Sequence, residues 1–197
     1  MLTFDPSPAS LPERLKQATH DLHRSLETGL GLLTPPIDRR RTLILIERFY
    51  GFHAAWEPAV AAQLADEDFL APRRRAPLAA ADLAALGRSA DAIAALPCCD
   101  EAGRLADAGE AWGSIYVMEG STLGGKLITR RLAEEDWLPA EGIRYFDPHG
   151  ERTGALWRET RARLAELSGT GREDAVIDGA RATFRRLAAW LQPALRG

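Results

Sequence analysis

The chain has 197 residues, a formal net charge of -3 at pH 7, 46% hydrophobic and 27% charged residues. That length suits one domain over 1–197 with residues 1–9 as a flexible tail, and the composition argues against disorder. The acidic balance argues against a nucleic-acid or anionic-membrane binder, the adjacent Cys98 and Cys99 against a disulfide scaffold, and the lack of a long apolar run against a membrane span, so the expected compartment is the cytoplasm.

The periodicity predicts an all-α fold of roughly seven or eight helices. Ser10 and Glu13, with Pro12 in the first turn, form a capping-box start. Leu11, Leu15, Ala18, Leu22 and Leu26 follow at helical spacing, and Gly29 and Gly31 are expected to stop that helix. Thr34, Pro35 and Pro36 read as a loop. A second helix is expected from 38 into 56, with Pro58 near a bend or break. One or two short helices fit 72–97. A long helical segment, interrupted by glycines, fits 101–135, and 139–150 is a loop containing Tyr145 and Phe146. Two last helices fit 153–167 and 173–191. The arginine runs at 39–41 and 73–75 read as solvated helix ends. His53 and His149 read as structural, and the adjacent cysteines as incidental.

Two of these helices carry candidate chemistry. At ~100° per residue, Leu15, Ala18, Leu22 and Leu26 form one buried stripe; His23 lies at its border, and Lys16 is within ~20° of His23, two turns away. An imidazole and an ammonium so placed suit a flat apolar ligand with a central metal and carboxylates at its rim. A border histidine bonded to a carbonyl fits the same pattern. In the second helix, Gly109, Gly113, Gly120, Gly124 and Gly125 each cost roughly 1 kcal/mol relative to alanine, so they need a reason. Gly113, Gly120 and Gly124 share one face. Either another helix packs closely there, or a flat ligand lies on bare backbone where the helix bends.

LKQATHDLH at 15–23 and YVMEGSTLGGKL at 116–127 together resemble the heme oxygenase family, and GSTLGG resembles its bacterial branch, which includes enzymes that supply bacteriophytochromes. The resemblance implies heme as cofactor and substrate, His23 as the proximal iron ligand oriented by Glu27, and Lys16 on a propionate. It implies Gly120 and Gly124 crowding the distal face, dioxygen as co-substrate, and biliverdin, ferrous iron and carbon monoxide as products. No metal beyond the heme iron is implied. Ser121 stands where many members carry an aspartate that organises water. The family's propionate-binding tyrosine falls on Ile115, beside Tyr116. Arg161, with Arg158 one turn before it, matches a second propionate contact, and Phe184 an aromatic at the heme edge. Electrons would come from a ferredoxin or a flavin reductase, since no nucleotide-binding fingerprint is present. The alternative is a heme-binding or heme-trafficking protein without turnover.

Overall fold

The computed structural model describes residues 9–33 and 36–195. The expected tail therefore lies, apart from Ala9, outside the described residues, as do Thr34 and Pro35 of the expected loop. The helices are α1 (Leu11–Leu30), α2 (Arg39–Leu64), α3 (Glu67–Leu70), α4 (Ala76–Ala85), α5 (Ala90–Ala94), α6 (Ala108–Leu132), α7 (Thr153–Glu166) and α8 (Glu173–Leu195). Among the described residues there is no strand. No described helix is long and apolar enough to cross a membrane.

At the start of α1 the Glu13 carboxylate accepts from the Ser10 backbone N–H at 2.8 Å and from its hydroxyl at 2.9 Å. The helix stops at Gly31, which takes the left-handed conformation (φ 61°) that glycine adopts without a Cβ clash. Gly29 is still helical; Arg41 at the start of α2 donates to its carbonyl at 3.0 Å. Asp38 caps α2 by accepting from the Arg41 N–H at 2.6 Å. Contrary to expectation, α2 does not end near Pro58 but continues to Leu64. Buried Trp56 and Val60 flank the proline, and their packing outweighs the one hydrogen bond that the ring removes.

The segment expected to be helical from 101 divides in two. A short 3-10 turn occupies Asp100–Gly103, and α6 starts only where Asp107 accepts from the Glu110 N–H at 2.9 Å. The glycines do not interrupt α6. In its first half they admit α8: a Cβ on Gly113 would lie 2.1 Å from the Val176 carbonyl oxygen, and one on Gly179 would lie 2.5 Å from the Glu110 Cα. The two backbones cross where both lack side chains. Helix α1 also packs against α8, so α8 holds both α1 and α6.

Candidate functional site

Beyond the α6–α8 crossing, α6 faces the second half of α1 across a cleft. An inner, mainly apolar chamber of about 310 Å³ is walled by Leu26 and Leu30 of α1, Phe49 of α2, Val117 and Met118 of α6, and Tyr145 and Phe146 of the loop before α7. It adjoins an outer chamber of about 660 Å³ that reaches Lys16, His20, Tyr116, Trp157 and Arg161. His23, Gly120, Ser121 and Phe184 line both. These volumes lie within the range of small-molecule sites.

His23 is half-exposed, with Nδ1 3.5 Å from the Glu27 carboxylate one turn on. Phe184 stands edge-on to its ring, with centroids 5.8 Å apart and planes at 84°. The carboxylate and the phenyl ring fix the imidazole from two sides, and its other nitrogen has no partner among the described residues. Opposite, a Cβ on Gly124 would meet only Glu27 at 3.8 Å, and one on Gly120 only Trp157 at 3.5 Å. Both are ordinary contacts, so no neighbouring backbone forces glycine at either position. The glycine face thus divides: Gly113 is closely packed against α8, while Gly120 and Gly124 meet nothing nearer than ordinary contact.

Lys16 and Arg161 are exposed at the mouth and make no ion pair or hydrogen bond with other described residues. Tyr116 lines the mouth, tilted against Trp157 with centroids 5.7 Å apart; burial raises its phenol pKa. Arg158 is exposed and lines neither chamber, so the structure does not bring it to the cleft with Arg161.

The arginines at 73–75 correct the sequence reading. Arg74 is solvated, but Arg73 and Arg75 are buried at 4% and 3% exposure. Arg73 pairs with Glu119, which lies 3.3 Å from its Nε, and with Glu159 at 2.8 Å from Nη2. Glu119 in turn lies 3.3 Å from His149 Nε2. Arg75 lies in the wall of the inner chamber, its guanidinium 4.2 Å above the Tyr145 ring. It donates from Nη1 to the Ser121 hydroxyl at 3.0 Å, and Ser121 itself donates to the Met118 carbonyl at 2.7 Å. The position that differs from the family pattern is therefore coupled to a cation, and the Nε of that cation is buried without a partner.

Behind Arg75 lies a buried relay. Glu57 accepts the backbone N–H groups of Arg75 and Ala76 at 2.7 and 2.8 Å, which suits a carboxylate at the start of α4. His53 Nδ1 lies 3.3 Å from Glu57, and Nε2 lies 3.1 Å from the Tyr145 hydroxyl. Burial holds His53 below its ordinary pKa, more than the Glu57 hydrogen bond lifts it. For Glu57, burial acts upward, but His53 and the two amides together bring the carboxyl below its ordinary value. These shifts favour a neutral imidazole beside a carboxylate, with the Tyr145 hydroxyl at the other ring nitrogen.

The family model for heme oxygenase matches residues 9–193. The chain belongs to the heme oxygenase family. A protein named heme oxygenase from Xanthomonas campestris pv. campestris (strain 8004) is 39% identical over 114 residues, which are 57% of this chain and 64% of that protein. The alignment thus spans less than two-thirds of that relative's length. The crystal structure of the NO- and CO-bound heme oxygenase from Neisseria meningitidis shares the fold, with a TM-score of 0.75 at 22% identity over 95% of this chain and 92% of that one. His23, Gly120, Ser121, Gly124 and Phe184, singled out from the sequence, line this cleft. Arg75, Tyr145 and Phe146, which line it too, were not singled out for a site, because their places depend on contacts far apart in the chain.

Proposed function

We propose that the chain is a heme oxygenase that opens heme to biliverdin, ferrous iron and carbon monoxide, using dioxygen and electrons from outside. The observation that carries this reading is the pairing of His23, with one ring nitrogen unpartnered, and the bare Gly120–Gly124 face across an apolar cleft. The lining suits a macrocycle: the inner chamber walls are apolar, a nitrogen ligand is at hand, and Lys16 and Arg161 stand at the rim unpaired among the described residues.

Bound heme would supply the iron that activates dioxygen and the carbon edge that is cleaved. The remaining roles fall to the protein. His23 would hold the iron, with Glu27 raising the basicity of its ring. Lys16 and Arg161 would neutralise the propionates, the arginine by its planar fork. Gly120 and Gly124 leave room on the distal side and keep side chains out of it. Ser121 and Arg75 would hold water and protons there, a hydroxyl with a guanidinium behind it in place of a carboxylate. Phe184 would keep the His23 ring upright. Tyr116 faces the mouth beside these groups. A ferredoxin or a flavin reductase would donate the electrons, a bacteriophytochrome is a candidate acceptor of biliverdin, and the cytoplasm is the compartment that suits both.

The test is to mix the purified protein with hemin and a reductant under air. Conversion of the Soret band to a biliverdin spectrum is expected; a stable ferric or oxygenated complex would instead indicate a carrier. His23→Ala is expected to lose the native ferric spectrum, and unchanged coordination in that variant would remove His23 from the iron.

A further inference from the structure

Residues 143–146 cross behind the inner chamber as a strap between α4 and α6. On the α6 side, a Cβ on Gly125 would lie 1.7 Å from the Phe146 carbonyl oxygen, so the strap rests directly on helix backbone. On the α4 side two residues grip it. The Asp82 carboxylate accepts the Arg144 N–H at 3.0 Å and the Tyr145 N–H at 2.7 Å. Arg75 donates from Nη2 to the Tyr145 carbonyl at 3.0 Å. The same residue is thus held at its N–H from within α4 and at its C=O from the start of α4. Seven positions separate the two grips, about two turns, which returns both to one side of the helix.

Asp82 is costly where it stands. It is 2% exposed and makes no ion pair among the described residues, and burial raises its carboxyl pKa despite the two amides and the charge of Arg144. The chemistry of the strap explains why a carboxylate occupies the place. Two converging N–H groups need two acceptor oxygens with no donor between them, and among side chains of this size only aspartate provides that. An asparagine would set its own NH2 against one of them.

We propose that Asp82 is a positioning residue for the distal side of the site, fixing the strap so that the Tyr145 carbonyl aims the Arg75 guanidinium at Ser121 and the cleft. The proposal rests on the heme reading above. Asp82 touches neither chamber; it acts through Tyr145 and Arg75.

Two measurements test it. In the ferric hemin complex, a guanidinium near the iron favours the ionised form of a bound water, so displacing it raises the pH of the acid-to-alkaline spectral change. Asp82→Asn is expected to raise that pH by about half a unit or more, in the same direction as Arg75→Gln. The double variant is expected to match Arg75→Gln alone, because the two residues act in series. A lower melting temperature with an unmoved transition, or a shift that adds to that of Arg75→Gln, would overturn the proposal while leaving the heme reading intact. No hemin complex in the unaltered protein would overturn the heme reading itself. The second measurement needs neither hemin nor a folded Asp82 variant. In the apoprotein of Arg75→Gln, the Tyr145 amide, whose bond to Asp82 remains, is expected to exchange with deuterium about tenfold faster than in the unaltered protein. Unchanged exchange would show that the two grips are independent and sink the proposal.

Discussion

His53 is fully enclosed, with Glu57 on one ring nitrogen and the Tyr145 hydroxyl on the other. Its folded-state pKa lies below the ordinary 6.5 because burial penalises the imidazolium. An unfolded chain protonates this ring near its ordinary value, whereas the folded chain does so only at lower pH. Unfolding therefore takes up a proton below about pH 6.5, and stability falls there by up to about 1.4 kcal/mol per pH unit. Glu57, also lowered, acts in the same direction further down: its stabilisation is present above the ordinary 4.5 and is lost as pH falls through its folded value. Asp82, raised above 3.8, acts oppositely, since the folded state takes its proton first. Thermal unfolding of the apoprotein between pH 6.5 and 5 is expected to show a declining melting temperature, flattened in His53→Gln. An equal decline in that variant would assign the effect to other groups. The sequence showed that His53 lacked a metal-like partner, and the structural role expected for it matches its burial. It could not show the partners, because Tyr145 lies 92 positions away. The same holds for Arg75, whose bonds reach 46 and 70 positions along the chain. Locally, three consecutive arginines carry no sign that two of them are buried.

At the scale of the helix, α6 uses glycine in two ways that a sequence periodicity cannot separate. Spacing puts Gly113, Gly120 and Gly124 on one face, but what passes that face is decided by α8 and by the cleft. Gly125 lies against the strap, where a Cβ would collide with the Phe146 carbonyl, one residue beyond the Tyr145 that Asp82 and Arg75 hold. Gly125→Ala is therefore expected to destabilise the apoprotein by about 1–3 kcal/mol, with the overpacked strap displaced. Gly124→Ala is expected to behave oppositely: with a Cβ making only ordinary contact, it gains about 0.5–1 kcal/mol from reduced backbone freedom. A larger replacement, Gly124→Leu, would project into the cleft and is expected to weaken hemin binding while the apoprotein melts no lower. Melting curves with and without hemin check both halves. Equal stability of the two alanine variants would refute the distinction between them. The strap itself was read from sequence only as a loop with two aromatic residues, since its role comes from the helices it is wedged between.

On the scale of the whole molecule, the lips of the cleft carry the large apolar side chains that are most open among the described residues: Leu123 at 50%, Leu127 at 45% and Leu33 at 43% exposure. They lie around the inner chamber with Leu26 and Leu30, so a macrocycle lying there would cover surface that the protein alone cannot bury. Binding to the folded state alone stabilises it by mass action, about 2.7 kcal/mol at a hundred times the dissociation constant. For a chain of this size each kcal/mol moves the melting temperature by roughly 2–4 °C, so hemin is expected to raise it by about 5–10 °C. On the proposed reading that shift combines an iron bond to His23 with apolar burial and propionate contacts, and metal-free protoporphyrin would provide only the latter two. The rise with protoporphyrin is expected to be smaller than with hemin in the unaltered protein, while in His23→Ala the two should coincide. A hemin effect that stays larger in His23→Ala would mean another side chain holds the iron. No rise with either ligand would mean that the open leucine lips serve some other purpose.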